Sequence, residues 1–270
     1  MTLFDLDRLE DPALIGHYRL AEPFPHVVLE DFARAAGADV VGAFPDLDWD
    51  GWSDRSSPFQ PNKRSCRDID RIPPLLAQMI HELSAPRFLR AISALTGIAN
   101  MLPDPFLEGG GIQCTTAGGK LAPHTDFHLP PTLRLFRRAN VLVFLNPEWK
   151  PGDGGELGLF NLGDDVPVVS VAPRFGTCVI FTTDHRSVHG VSPVAETAAP
   201  RRSIALYYYT VEPAEVFSGD RRTYWYGPPD NPDRTATERA RLAAMKGALR
   251  GAKLLTRIAY RVDPQRPDLG

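Results

Sequence analysis

The sequence predicts a mainly β fold, a two-sheet barrel or jelly roll with flanking helices. Three observations predict it. Between about residues 108 and 212 at least seven short apolar runs follow one another, separated by Gly, Pro, Asn or Asp. Helical periodicity is confined to segments before and after that stretch, which argues against alternating βα units and a parallel sheet. The 26 prolines and 22 glycines are spread along all 270 residues, so the chain turns often without any low-complexity tract. No linker separates these parts. Residues 1–270 therefore read as one domain, with support helices at about 30–100, a jelly-roll core at about 108–212 and a C-terminal helix at about 235–260.

In chain order, Val27-Val28-Leu29 is a short apolar strand, and Glu30-Asp31 can open a helix running through AGADVVGAF. Residues 45–68 are polar and irregular but hold Trp49, Trp52, Phe59, Lys63, Arg64 and Arg67. They read as a loop, either stapled to the surface by its aromatics or serving as a substrate wall. Leu75, Leu76, Met79, Ile80 and Leu83 recur at helical spacing, and so do Phe88, Leu89, Ile92 and Leu95. Pro86 separates the two helices and Gly97 ends the second.

Strands follow: GGGIQCTTAGG, then LAPHTDFH, then RANVLVFLN, whose unbroken apolar run suits burial on both faces. GGELGLFNL, VPVVSVAP, FGTCVIFTT, RSVHGVSPV and RRSIALYYYTVEP complete the set. In the tail, residues 235–260 are strongly helix-forming, with Leu242, Met245, Leu249, Leu254 and Ile258 as an apolar stripe for docking or a dimer contact.

Composition removes several function classes. The net charge of -3 gives no general field for nucleic acid. Cys66, Cys114 and Cys178 cannot all pair and share no CxxC spacing, which points to a reducing, cytoplasmic setting. Acidic residues stand where a signal peptide carries basic ones, and no run of about 18 apolar residues spans a membrane. Oligomeric state is not encoded in any visible pattern.

The chemistry centres on APHTDFH. His124 and Asp126, two apart on an extended segment, point to one face. His189 lies 65 residues downstream, in SVHGVSPV. Two imidazoles and one carboxylate fill half of an octahedral iron(II) shell and leave the other half open. His185 and His189 have HxxxH spacing, which on a helix would suit zinc, but the β-branched residues and proline from Ser187 to Val194 speak for a strand. His128 shares the Asp126 face if the strand continues, and HLPPT then places it at the rim. Arg201 and Ser203, two apart on a strand start, offer a guanidinium fork and a hydroxyl to one end of a dicarboxylate.

Together, His124-Thr125-Asp126, His189 and RRSIALY resemble the iron(II)/2-oxoglutarate-dependent dioxygenases, in their prolyl-4-hydroxylase-like branch. PFPHVVLEDF and RANVLVFLNPEWKPGDGGELGLF resemble that branch as well, so the likeness covers roughly residues 22–212. The resemblance implies a double-stranded β-helix core. It implies Fe(II), 2-oxoglutarate and O2 as cofactor and co-substrates, with ascorbate as a candidate reductant. It also implies 2-oxoglutarate chelating the metal, with Arg201 and Ser203 holding the far carboxylate. The branch carries a tyrosine on the strand before HxD, where this chain has Thr115; Gln113 or Asn140 is the candidate to replace its hydrogen bond. Arginine also stands where the branch commonly uses lysine. These departures weigh against peptidyl-proline as substrate. The resemblance implies, from the carboxylate at Asp126, hydroxylation or a related oxidation of an unactivated C–H rather than halogenation.

The expected substrate is a polar small molecule or amino-acid-like compound. His128, Lys63, Arg64, Arg138 and Trp225 are candidate contacts from the aromatic and cationic segments. The rival readings are a jelly-roll protein that binds metal without turnover, and a zinc hydrolase using His185 and His189.

Overall fold

A computed structural model describes residues 2–34, 37–130, 134–213, 223–225, 244 and 255. A short 3-10 helix, Leu6–Glu10, leads into α1, Pro12–Leu20, whose first turn is capped where Asp11 accepts from the Ala13 N–H at 2.9 Å. Strand β1 is His26–Leu29, and α2 is Gly37–Ala43. The helix expected from Glu30 therefore begins later.

Residues 45–68, expected as a loop, contain a hairpin: β2, Ser53–Asp54, and β3, Lys63–Cys66. Trp49 and Trp52 meet edge to face at 5.3 Å beside it and pack on the core, so the aromatic staple is present. The helices α3, Pro74–Ser84, and α4, Pro86–Thr96, fall where the periodicity put them. Pro86 opens α4, and Gly97 closes it at φ 73°, a left-handed conformation that favours glycine.

The remaining strands are β4, Leu102–Pro103; β5, Gly111–Thr115; β6, Leu121–Thr125; and β7, Phe136–Phe144. Then come β8, Leu157–Phe160; β9, Val169–Val171; β10, Cys178–Thr182; β11, Val188–Val191; β12, Arg201–Thr210; and β13, Tyr224–Trp225. They form two antiparallel sheets. The larger runs β1-β10-β7-β12-β5-β3-β2, with β4 added to β12, and the smaller runs β13-β6-β11-β8-β9. From β5 onward the chain crosses between the two sheets at each step except the β8–β9 hairpin, which is the jelly-roll arrangement.

Strand alternation gives each sheet face its own task. On β7 and β12, Val141, Val143, Ile204, Leu206 and Tyr208 pack outward against helix residues such as Leu76, Met79, Phe88 and Ile92. Leu142, Phe144 and Ala205 face inward and meet Leu157, Leu159 and Val171 of the smaller sheet. The large sheet is thus buried on both sides, as its unbroken apolar runs require. The inner layer is apolar at one end only; at the other, polar side chains replace it and line a cavity. Cys66, Cys114 and Cys178 are buried and free. No helix among the described residues is long and apolar enough to cross a membrane. The expected helix at 235–260 lies outside the described residues except for Ala244 and Leu255.

Candidate active site

Strands β6 and β11 are hydrogen-bonded neighbours, and their register sets His124 directly opposite His189. The rings lie 4.3 Å apart. In each, Nδ1 stands 2.9 Å from a backbone carbonyl two residues earlier, Ala122 O and Ser187 O. A carbonyl only accepts, so Nδ1 carries the proton and Nε2 keeps its lone pair. Both Nε2 atoms point at Asp126, which follows the end of β6: His124 Nε2 lies 3.7 Å from Oδ1 and His189 Nε2 3.8 Å from Oδ2. The ligand-type atoms of the three residues all fall within 4.8 Å of one another, and all three side chains are buried. Two bare imidazole nitrogens and a carboxylate facing one point form a donor set that suits iron(II).

Electrostatics favour the same states. Burial pushes the Asp126 carboxyl up, but the His124 and His189 imidazoles and the Arg137 guanidinium outweigh it and hold it well below the usual range. Burial, reinforced by His124, lowers His189 to about 4. The aspartate is therefore charged and His189 neutral near pH 7, as ligation requires.

The cavity beside these residues is about 240 Å³. The antiparallel register of β3, β5 and β12 builds its wall in rows. Lys63, Thr115 and Arg201 stand opposite one another, and Ser65, Gln113 and Ser203 form the next row. Arg201 is buried; its Nε donates to Gly155 O at 2.8 Å and its Nη1 to Ser203 Oγ at 3.3 Å. Its stem runs against Gly155, where a Cβ would meet Arg201 Cδ at 3.1 Å and the backbone sits at φ 75°, so glycine is required twice over. Burial lowers Arg201 to about 10, which leaves it charged. Gln113 also lines the cavity and donates from Nε2 to Gly109 O at 3.2 Å.

Trp225 closes one side. Its strand β13 pairs with β6 and puts it opposite His124, 4.8 Å from that ring, and it stacks on Phe59 at 4.7 Å and 13°.

Three expected site residues lie elsewhere. Arg64 points to the opposite face of β3 from Lys63 and donates to Leu47 O at 2.6 Å, since neighbouring strand residues alternate. Arg138 also misses the cavity and donates to Thr210 Oγ1 at 3.0 Å. Its place is taken by Arg137. Tyr208 opposes Ala139 whereas Tyr209 opposes Arg137, so Arg138 is an extra residue on β7, and the bulge reverses which side chain faces inward. His128 is not at the rim: β6 ends at Thr125, and His128 is buried away from the cavity wall. Asn140 lines the cavity, and its Nδ2 donates to Asp126 Oδ2 at 3.3 Å, so it steadies the carboxylate. His185 is not part of the His124–Asp126–His189 cluster, and His189 sits on a strand. The HxxxH zinc arrangement is thus absent among the described residues.

Sequence reasoning missed Arg137 and Tyr207. Arg137 is fully buried, with Nη1 3.6 Å from Asp126 Oδ1 and its guanidinium between the rings of Phe127 and Tyr207, at 3.9 and 3.6 Å from their centres. A phase change at a bulge leaves no trace in the residue pattern. Tyr207 could have been found by counting Arg201, Ser203, Ala205, Tyr207 along one face of β12.

Comparison with known proteins points the same way as this donor set. Residues 110–209, which hold all three metal-type ligands and the Arg201–Ser203 pair, match the family model described as the 2OG-Fe(II) oxygenase superfamily. That match supports a 2OG-Fe(II) oxygenase. A prolyl 3-hydroxylase, OGFOD1 of Xenopus laevis, is 34% identical over 77 residues, which are 27% of this chain and 15% of that protein. The chain thus matches only a small part of that relative's length.

The oxygenase fold is shared with a Trichoplax adhaerens prolyl hydroxylase solved with a hypoxia inducible factor peptide, with TM-score 0.54 and 21% identity over 76% of this chain and 90% of that one. It is shared also with a prolyl 4-hydroxylase of Phytophthora capsici, with TM-score 0.53 and 22% identity over 95% and 77%. A third oxygenase-type structure, the epimerase SnoN of nogalamycin biosynthesis, gives TM-score 0.51 and 16% identity over 76% and 84%. The family match and the local match to a prolyl 3-hydroxylase support the prolyl-4-hydroxylase-like branch, and the solved structures share its fold. The residues present fit the superfamily's Fe(II) and 2-oxoglutarate: neutral Nε2 lone pairs and an ionised carboxylate for the metal, and a buried guanidinium for the dicarboxylate.

Proposed function

We propose that this chain is a 2-oxoglutarate-dependent hydroxylase of a polar small molecule or amino-acid-like substrate. The observation that carries it is the convergence of His124, Asp126 and His189 on one point at the end of a cavity that also holds Arg201 and Ser203. When bound, Fe(II) with 2-oxoglutarate supplies the oxidising power, O2 being consumed as 2-oxoglutarate is converted to succinate and CO2 and a substrate C–H gains a hydroxyl group. The chain's own residues bind, orient and exclude water.

In this reading His124, Asp126 and His189 are the metal ligands. The carbonyls of Ala122 and Ser187 fix the imidazole tautomers, and Asn140 and Arg137 steady the Asp126 carboxylate. Arg201 receives the far carboxylate of 2-oxoglutarate through its Nη end, because Nε is committed to Gly155 O, and Ser203 and Gln113 flank it. Trp225, Phe59 and Phe127 form the apolar part of the cavity's surroundings, and Lys63 faces the remaining space.

The substrate class rests on the cationic, polar character of the cavity and on Thr115 at the position where the branch carries tyrosine. Peptidyl-proline is the competing substrate, favoured by the local match to a prolyl 3-hydroxylase. The deciding experiment measures succinate formed from 2-oxoglutarate with Fe(II). Polar small molecules, amino acids and proline-containing peptides are offered in parallel. Stimulation by a small molecule and not by peptides is the expected result. A protein with no 2-oxoglutarate turnover against any of them, and no uncoupled turnover, would not be this enzyme.

A further inference from the structure

We infer that the substrate carries several negative charges, as phosphate or carboxylate groups, and that Arg55, Lys63, Arg67 and Lys120 hold them. This rests on the oxygenase reading and narrows its substrate. Strand alternation puts Lys63 and Ser65 on the cavity face of β3, while Arg64 turns away, and Arg67, just past the end of β3, lines the same cavity. The Arg55 backbone N–H donates to Lys63 O at 2.8 Å, which extends the row of Lys63, Thr115 and Arg201 by another cation. Lys120 enters from the turn before β6.

The charge count is one-sided. The cavity wall holds six cations, Arg55, Lys63, Arg67, Lys120, Arg137 and Arg201, against one carboxylate, Asp126, a sum of 6 − 1 = +5. Fe(II) adds two positive charges and 2-oxoglutarate two negative ones, so loading the site leaves the sum unchanged. The chain as a whole carries -3, so this is a local concentration rather than a general basic character.

Arg137 has Asp126 beside it, and Arg201 is matched by the co-substrate. The other four have no ion pair with an acidic side chain among the described residues. Lys63 and Arg201, like charges held in one row, repel; burial first and Arg201 next lower Lys63 to about 8. A neutral occupant would leave that repulsion standing. An anion removes it and gains charge-assisted hydrogen bonds. Trp225, held in place by stacking on Phe59, lines the cavity with Phe127 and provides an apolar surface for the uncharged part of the same molecule.

The test uses the full chain loaded with Fe(II) and 2-oxoglutarate under anaerobic conditions. Calorimetry follows addition of fructose 1,6-bisphosphate, tricarballylate and, as an uncharged control, fructose. The expected result is that one or both anions bind without displacing 2-oxoglutarate, that fructose does not, and that added salt weakens binding steeply. The stronger anion tells phosphate from carboxylate recognition. Arg67 is exposed and Lys120 half-buried, so the double variant Arg67→Gln/Lys120→Gln should fold as the parent does. It is expected to weaken anion binding at least tenfold while the affinity for 2-oxoglutarate changes less than threefold. The inference is overturned if neither anion binds the loaded protein, or if the double variant binds them as tightly as the parent. Failure of 2-oxoglutarate itself to bind the iron-loaded chain would overturn the oxygenase reading, and this one with it.

Discussion

Truncation of Arg201 gives the most direct test of the co-substrate site. Its guanidinium is buried, lies 4.9 Å over the Phe144 ring, and is anchored through Nε to Gly155 O. The Nη end beside Ser203 is what remains to meet a carboxylate. A fork of this kind makes two charge-assisted bonds, each contributing roughly 1.5–3 kcal/mol. Arg201→Ala removes both, and water entering the emptied space recovers part of the loss, so about 3 kcal/mol is expected at the co-substrate. At about 1.4 kcal/mol per tenfold this is a rise of about 150-fold in the KM for 2-oxoglutarate. Arg201→Lys keeps the charge but loses the fork and the Gly155 bond, and should fall between parent and alanine variant.

The control is the neighbouring residue. Arg202 points to the other face, its guanidinium 5.0 Å from the Phe44 ring, so Arg202→Ala should leave that KM within about threefold, a difference below roughly 0.7 kcal/mol. The assay is succinate formation against 2-oxoglutarate concentration, with thermal melting to confirm folding. An unchanged KM in Arg201→Ala, or a large rise in Arg202→Ala, would refute the assignment of this wall to the co-substrate.

Other outcomes follow from the same geometry. His124→Ala and Asp126→Ala should each abolish turnover and weaken iron binding, measured by metal content after dialysis; full activity in both would contradict the ligand set. Chelation should stop 2-oxoglutarate turnover, with activity restored by Fe(II) and not by zinc, since zinc lacks the redox chemistry. Phe181 is fully buried, with its ring 4.8 Å from His189 and 5.8 Å from Phe24. Phe181→Ala should cost about 3–5 kcal/mol and lower Tm by roughly 10 °C, read by calorimetry. Lys63 is lowered to about 8 in the folded chain, below its ordinary 10.5, so the unfolded chain binds more protons between those values. Its contribution to stability therefore rises with pH from about 8 to 10.5. Melting curves of the parent minus those of Lys63→Met across that window should show the rise, and a flat difference would mean the lysine is not desolvated.

Much of this site was legible because strand geometry is periodic. His124 and Asp126 two apart, and Arg201 and Ser203 two apart, each commit a pair to one face wherever the strands end up. The helices α3 and α4 and the long runs of β7 and β12 were legible from apolar period and unbroken burial. The misreadings have a common origin in local phase. Lys63 and Arg64 were expected together, yet adjacent strand residues cannot both face one cavity. Arg138 rather than Arg137 was expected, from the cationic segment it ends; the bulge opposite Tyr208 and Tyr209 decides which of the two faces inward. The hairpin at Ser53–Cys66 was read as a loop because its strands are short and polar on both faces, with Lys63 toward the cavity and Arg64 toward Leu47, so they lack the apolar alternation that marks a strand.

The sequence by itself determined the kind of fold, the residues able to bind a metal and the arginine able to receive a dicarboxylate, because side-chain chemistry and strand period are local properties. Only the tertiary structure decided that His189 lies opposite His124, that Asn140 serves Asp126, and that Arg137 and Lys63 face the cavity. Those facts depend on register between strands far apart in the chain, and register is set by the packing of two whole sheets against each other rather than by any short stretch of residues.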